Sequence, residues 1–504
     1  MTAPHPFTAI RRAGVPIVAI ETADPVSTIA ACRAAMNGSK DQTPCAQWDC
    51  IRGLKPVNQA ATALCSAIGD PIETTNGAQC LSLIAEKYLD AKGNDPGAVW
   101  FFHAGNRALE DWTAAQAVWN LRDILKSAGS TLVLLGPAFR IPAELKHDCV
   151  VISEELPGDE ALGEVVKGIA SDAEMKIEDD QLPKMVDTLR GLSAFAAEQV
   201  VAMSIVRTDG KLNVDTSALW ERKRKMIEQT PGLGVWRGGE RFADIGGCDS
   251  IKAYLRDYMR GPAGIRAIVF LDELEKSMAG SGGGDLSGVS SDFLGQILTY
   301  MQDSGSRGMI FVGPPGAAKS AMAKCAGNEA NVPTIALDMG GMKGSLVGQS
   351  EATMRNALKV ITAVSSGKAL WIATCNSLAV LPPELKRRFS LGTWFFDCPT
   401  AEERAAIWNI YAKQYAGVVQ DIGPEAIPGW TGAEIRALFD TAWATGRPLS
   451  RAVKIIVPVC KAAADKIEAL RSQAVGKFTN AGVEGIYCKP ETDTTNTGRK
   501  LQYD

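Results

Sequence analysis

A chain of 504 residues is too long to be organised around one ordinary core, so three or four domains are expected. A net charge of −4 spread over that length sets up no field that would draw in nucleic acid or an anionic membrane. The twelve cysteines stand singly, without a CxxC pair, beside only three histidines; this argues for free, packed thiols in a reducing cytoplasm and against a Cys/His zinc site.

In chain order, the opening MTAPHPFTAIRRAG has a basic pair with no apolar stretch behind it, and no apolar run approaches the length of a membrane span. Neither a signal peptide nor an anchor is expected. The runs VPIVAI (Val15–Ile20), AVWFF (Ala98–Phe102) and TLVLL (Thr131–Leu135) read as buried strands separated by helical stretches, the pattern of a parallel α/β sheet with crossover helices. Residues 159–226 read mainly as helix, and the basic run ERKRK (Glu221–Lys225) reads as a solvated helix face. A Gly-rich linker, PGLGVWRGGERFADIGG (Pro231–Gly247), opens a second α/β region. The expected organisation is an α/β domain over 1–158, a helical subdomain and linker over 159–230, a second α/β domain over 231–415, a helical lid over 416–480, and a flexible polar tail over 481–504.

The two α/β regions echo each other. AVWFFHA (Ala98–Ala104) lies on AIVFLDE (Ala267–Glu273) without a gap, and LLGPAFRIPAELK (Leu134–Lys146) lies on IATCNSLAVLPPELK (Ile372–Lys386) with a gap of two residues. His103 and Ala104 stand where Asp272 and Glu273 stand, and Val15–Ile20 runs straight into ETADP without a phosphate loop. The expectation is a duplicated domain whose first copy has lost its nucleotide chemistry.

The chemistry is carried by three stretches. GMIFVGPPGAAKSAMAK (Gly308–Lys324) is a strand, a Gly/Pro-rich loop and a helix, the context a phosphate loop requires. The loop Gly313, Pro314, Pro315, Gly316, Ala317 and Ala318, with the helix start at Ala321, would surround the phosphates of ATP, its non-proline amides converging on the phosphate oxygens. Lys319 would reach the β- and γ-phosphates and the Ser320 hydroxyl would ligate Mg²⁺. Ala318 departs from the usual glycine, which is tolerable if its φ is helical. IVFLDELEK (Ile268–Lys276) ends a buried strand in two carboxylates: Asp272 would hold Mg²⁺ through water, and Glu273 would polarise the attacking water. ALWIATCN (Ala369–Asn376) ends in Asn376, which could bond the γ-phosphate or that water. In LKRRF (Leu385–Phe389), Arg387 or Arg388 could stabilise transition-state charge in a neighbouring subunit.

FADIGG, FLDE, GPPGAAKS, LVGQSEATMR, ATCN, LPPELKRRF and GWTGAEIRALF together resemble the AAA subgroup of AAA+ ATPases. LDELEKSMAGSGGGDLSG, LTYMQD and KIEALRSQAVGKF are similar to FtsH-like AAA proteins of cyanobacteria and algal chloroplasts, which pair a degenerate N-terminal ATPase-like domain with an active one. The resemblance implies two P-loop-type (ASCE/AAA+) parallel-sheet domains, each followed by a small helical lid. It also implies ATP and Mg²⁺ as cofactors and a homo-oligomeric ring, most simply a hexamer, with ATP at the interfaces. Ile245 and Gly246 would lie near the adenine and Gly432 and Ala433 at the lid contact. Lys343, Leu346 and Val347 stand where many relatives carry a pore aromatic.

One feature of order is unusual: the acidic strand precedes the phosphate loop. If the family's sheet runs 5-1-4-3-2 in space, this chain visits its strands as 3-1-2-4-5, and both new crossovers skip one strand and carry a helix, which right-handed connections allow. The expected function is an Mg-ATP-hydrolysing machine that remodels a macromolecule, protein rather than nucleic acid, without a membrane. The alternatives are a nucleotide-gated scaffold with little turnover and a DNA-associated motor or loader.

Overall fold

The computed structural model describes residues 6–37, 43–90, 97–154, 156–175, 177, 181–208, 211–262, 264–278, 287–342, 349–377 and 383–489. The chain divides into two compact units, Met1–Leu219 and Trp220–Asp504. The division falls inside the helix Thr216–Glu228, ahead of the boundary expected at 230.

The first unit is built on β1 (Ile17–Glu21), β2 (Cys45–Asp49), β3 (Gly53–Pro56), β4 (Val99–Phe102), β5 (Thr131–Gly136) and β6 (Cys149–Ser153), in the spatial order β3-β2-β4-β5-β1-β6. All pairings are parallel except the β2–β3 hairpin. β1, β4 and β5 are buried at every position, which is why they read as unbroken apolar runs: helices cover both faces of the sheet. β2 and β3 escape that reading because Gln47, Asp49, Lys55 and Pro56 interrupt the apolar pattern. Trp48 stacks on Phe102 at 4.7 Å, and its indole N–H donates to the Thr74 carbonyl (2.6 Å), fixing β2 to the sheet core.

Helices Asp159–Asp172, Gln181–Leu189 and Ala194–Ala202 follow, held in part by the Arg190 guanidinium, whose Nε and Nη2 each donate to Asp159 at 2.7 Å. A hairpin of β7 (Ile205–Thr208) and β8 (Lys211–Val214) interrupts the helical region expected there.

The second unit holds β9 (Leu233–Val235), β10 (Ala267–Leu271), β11 (Arg307–Val312), β12 (Thr334–Leu337), β13 (Ala369–Cys375), β14 (Thr393–Phe395) and β15 (Thr479–Asn480). Their order in space is β15-β14-β11-β13-β10-β12-β9, parallel throughout except for β9 on β12. The five strands from β14 to β12 therefore stand as 5-1-4-3-2 while the chain visits them as 3-1-2-4-5. The helix Ser287–Asp303 carries the crossover from β10 to β11, and Gln349–Ser365 the crossover from β12 to β13.

The first sheet has the same spatial plan in ordinary chain order, since β6-β1-β5-β4-β2 is also 5-1-4-3-2. The two sequence echoes fall on equivalent strands: β4 takes the place of β10, and β5 that of β13. Even the backbone after the strand is shared, with Ala104 at φ 50° and Glu273 at φ 48°, both left-handed.

The helix Ala401–Gln414 packs through Ile407 and Trp408 onto Gly432–Thr445, so the lid begins near residue 401 rather than 416. Thr400 and Thr431 open these two helices as capping boxes with Glu403 and Glu434. The expected flexible tail is corrected over 481–489. After the helix Ala464–Ala474 the chain returns to the sheet edge as β15, and Ala481 and Tyr487 are buried. Asn480 makes this turn by accepting from the Gly482 amide (2.9 Å), a small polar sequence that reads as tail until its partners are known. The part of that expectation on 490–504 lies outside the described residues. Among the described residues, no helix is long and apolar enough to cross a membrane.

Asp397, at the end of β14, anchors this return. It accepts from Arg471 Nε (3.0 Å) and Nη2 (2.9 Å) and from the Tyr487 hydroxyl (2.6 Å), while the Tyr487 ring lies 4.4 Å from Phe395. A hydrogen bond to a shielded charge contributes about 1.5–3 kcal/mol, so Tyr487→Phe is expected to lower the unfolding free energy of the second unit by about 2 kcal/mol, read as a shift in urea midpoint at unchanged slope.

Candidate active site

The register of three central strands sets the site. Val312 of β11 lies beside Cys375 of β13, and Leu271 of β10 beside Ala373. One step further along each strand, Gly313, Asn376, Thr374 and Asp272 meet at one carboxyl edge, where open α/β sheets bind ligands.

The loop Gly313–Ala318 leaves that edge and enters the helix Lys319–Ala330. A methyl on Gly313 would stand 2.0 Å from the Phe396 carbonyl, and one on Gly316 (φ 81°) would stand 2.7 Å from Thr431 Oγ1, so the loop is pressed between β14 and the start of the lid helix. Ala318 has φ 66° and ψ 10°. The helical φ on which its tolerance was premised is therefore not found: the alanine occupies a left-handed position that glycine would fill without strain. Lys319 is buried and donates to the carbonyls of Gly313 (2.8 Å) and Pro314 (2.7 Å). Burial pushes its ammonium down to about 8, against the opposing pull of Glu275, Asp272 and Glu273.

Asp272 Oδ1 accepts from the hydroxyls of Ser320 and Thr374, both at 2.7 Å. Thr374 Oγ1 in turn accepts from the Glu273 amide (2.9 Å), so a threonine that sequence reading passed over joins the two acidic residues to β13. Its signal was available: it stands two residues before Asn376 in the same strand. Glu273 Oε2 pairs with Lys276 (2.6 Å), and Glu273 Oε1 lies 3.5 Å from Asn376 Nδ2. The sequence does not single out Glu275 either. Its Oε1 accepts from the Asn376 side-chain amide (2.8 Å) and backbone N–H (3.1 Å).

A cleft of about 610 Å³ gathers Ile245, Gly246, Asp272, Glu273, Pro315 and Gly316 with Ala318, Lys319, Ser320 and Ala321. Thr374, Asn376, Gly432 and Ala433 complete that wall, and Trp236, Lys324, Tyr411 and Arg436 line its far end. Gly313 and Pro314 contribute through their carbonyls to Lys319, and Ala317 lines a separate small pocket with Gly246 and Gly432. The two arginines are not brought to the cleft of their own chain. Arg388 bonds the Gln302 side chain, and Arg387 is exposed on the short helix Pro383–Arg388. Lys343, Leu346 and Val347 lie outside the described residues.

The donor set at the edge is oxygen only, a serine hydroxyl beside a carboxylate, which fits a hard cation such as Mg²⁺ that keeps several waters and shares phosphate oxygens. Among the described residues, no group of three or more His, Cys, Asp or Glu could hold a metal by itself.

The corresponding edge of the first unit is chemically different. Glu21 ends β1, is buried, and accepts from the Ser153 hydroxyl and the Phe139 amide. A carboxylate thus sits at the strand end that carries the phosphate loop in the second unit. His103, in the place of Asp272, faces Gln47 Oε1 at 3.1 Å, and burial lowers its pKa.

Comparison with known proteins gives three matches along the chain. The family description for the N-terminal domain of SpoVK-like AAA ATPases matches residues 5–153, that for the second domain of the same group matches 160–230, and that for the ATPase family associated with various cellular activities (AAA) matches 309–372. The last spans the phosphate loop and leaves Asp272 and Glu273 outside it. The chain is similar to uncharacterized AAA domain-containing proteins ycf46. That of Trieres chinensis is 23% identical, over 66% of this chain and 69% of the relative. That of Guillardia theta is 24% identical over 61% and 62%, and that of Pyropia yezoensis 22% over 80% and 86%. The chain carries AAA-type ATPase domains, with two P-loop-type sheets.

The left-handed Ala318 gives a direct test of loop strain. Ala318→Gly removes about 1–2 kcal/mol of steric cost and returns about 0.4–1 kcal/mol through the looser unfolded chain. The variant is expected to be more stable than the parent by about 0.5–1 kcal/mol in urea unfolding without nucleotide.

Proposed function

We propose that the second unit binds Mg-ATP in the cleft and hydrolyses it, and that the first unit is a nucleotide-free tier. The observation that carries this reading is the convergence of Lys319, the Ser320–Asp272–Thr374 hydrogen bonds, Glu273 and Asn376 on one sheet edge. Loop amides and Lys319 bind the phosphates, with Lys319 exchanging its two carbonyl partners for phosphate oxygens. Ser320, and Asp272 through water, would hold Mg²⁺, which would neutralise the charge that builds on the phosphate oxygens. Glu273 takes the proton of the attacking water as that water bonds to the terminal phosphorus and the bond from that phosphorus to the bridging oxygen breaks, ADP leaving with the electron pair, while Asn376 orients the water from the end of the adjacent strand. Ile245, Gly246, Gly432 and Ala433 border the nucleoside end.

The finer reading is a homo-oligomeric ring in which Arg387 or Arg388 reaches the neighbour's cleft. Their position outside the cleft of their own chain supports a role in trans. We further propose that hydrolysis remodels a macromolecular partner, protein in preference to nucleic acid, with the degenerate first domain docking it or building the ring. The acidic strand's place ahead of the phosphate loop is read as a permutation of a duplicated domain, supported by the shared 5-1-4-3-2 plan and the paired left-handed residues Ala104 and Glu273. One observation favours the slower alternative, a nucleotide-gated scaffold: Glu273 is held by Lys276, so the base is restrained in the resting chain.

ATP turnover by the purified chain, measured beside Glu273→Gln and Lys319→Ala, tests the reading. Turnover is expected in the parent and lost by at least about 100-fold in both variants, with Glu273→Gln still binding ATP. Lys319→Ala is expected to abolish ATP binding to the whole chain, because the first unit has no phosphate loop; residual stoichiometric binding would overturn the assignment of that unit. A parent as silent as both variants at high protein concentration would favour the scaffold.

A further inference from the structure

Asn376 follows directly on the fully buried strand β13, and its half-buried side chain at the cleft could sit in either of two orientations related by a half-turn about the Cβ–Cγ bond. The two ends of an amide differ chemically: one donates two hydrogen bonds and the other only accepts. Which end faces Glu273 decides whether Asn376 and the base cooperate or repel, so something must fix the orientation.

Glu275 supplies that constraint. It stands three residues beyond Asp272, on the first turn of the helix Leu274–Met278, and turns back toward β13. A carboxylate only accepts, so its Oε1, at 2.8 Å from Nδ2, admits the donor end of the amide and refuses the acceptor end. The same oxygen takes the Asn376 backbone N–H at 3.1 Å, which fixes the residue's main chain as well. With one Nδ2 hydrogen committed to Glu275, the other is directed to Glu273 Oε1 at 3.5 Å. The second oxygen, Oε2, is buried and takes no hydrogen bond among the described residues. A desolvated carboxylate oxygen without a donor opposes folding and offsets part of what Oε1 gains from its two N–H donors.

We infer that Glu275 is a positioning residue of this site: it locks the Asn376 side-chain amide with its donor end toward Glu273, and so aligns the residue that orients the attacking water. The inference rests on the hydrolase reading above and names a residue that reading does not use. It does not depend on the partner, the ring or the identity of the arginine.

The structural and the positioning roles predict different things for stability and rate. Removing the carboxylate relieves the desolvated Oε2 but also takes the acceptor from the Asn376 backbone N–H, so the two effects on stability oppose each other, whereas releasing Asn376 lowers the chemical step. The test uses the full chain, with steady-state ATP turnover, equilibrium binding of a fluorescent ATP analogue, and urea unfolding. Glu275→Ala is expected to lower kcat by about tenfold or more, with analogue Kd within about twofold of the parent and the urea midpoint little changed. Glu275→Gln keeps an acceptor oxygen for both Asn376 donors and is expected to recover kcat to within about threefold of the parent. Asn376→Ala and the double variant Glu275→Ala/Asn376→Ala should be equally slow, because Glu275 acts through Asn376.

The inference is overturned if Glu275→Ala turns over like the parent. It is overturned equally if its loss multiplies with that of Asn376→Ala, or if kcat, analogue affinity and the urea midpoint fall together and Glu275→Gln restores none of them. A parent chain that binds the analogue but shows no turnover removes the hydrolase reading and this role with it. A parent that turns over, with an indifferent Glu275, removes this role alone.

Discussion

The register between β10, β13 and β11 is the constraint on which the rest of the second unit depends. Parallel neighbours stand about 4.8 Å apart, so three strands in register bring their end residues within hydrogen-bonding reach of one another. That places the Thr374 hydroxyl between the Asp272 carboxylate and the Glu273 amide, and lets Ser320 reach Asp272 from the loop that follows β11. None of these contacts depends on the order in which the chain visits the strands. The sheet is specified by which strands lie side by side, and helical crossovers that skip one strand are short enough to make either order.

The site is also where the fold accepts its least favourable local structure. Ala318 and Glu273 are non-glycine residues in the left-handed region, Lys319 is a buried ammonium, and Glu275 keeps one carboxylate oxygen without a donor. Each opposes folding by an amount comparable to a single good hydrogen bond. The surrounding strands, buried at every position of β10 and β13, hold these conformations in place. Strain of this kind at a cleft, with relaxed packing around it, is the pattern of a preorganised site.

The first unit shows the same backbone plan with different residues at its carboxyl edge. Its sheet order is equivalent and Ala104 repeats the left-handed turn of Glu273, yet His103 stands where Asp272 stands and a buried glutamate ends β1. The same turn with and without a carboxylate indicates that its conformation is set by strand and helix packing. The lid of the second unit is tied back by a separate device, in which β15 joins the sheet edge and Asp397 gathers Arg471 and Tyr487.

The sequence by itself determined the strands that are buried on both faces, because a strand covered by helices must be apolar throughout, and it determined the phosphate loop and the acidic strand end, because each needs its residue types contiguous in the chain. It also carried the strand order of the second sheet, since the helix after Gln349 runs into β13 with no acidic strand between. Tertiary structure alone decided what depends on partners distant in sequence. Thr374 and Glu275 join the site only because β13 lies beside β10: Thr374 is 102 residues from Asp272, and Asn376 is 101 from Glu275. Residues 481–489 are structured only because β14 offers them an edge, and Ala318 turns left-handed only because the loop must bend between the sheet and the lid. Local pattern fixes which elements form; the pairing of remote elements fixes which side chains meet.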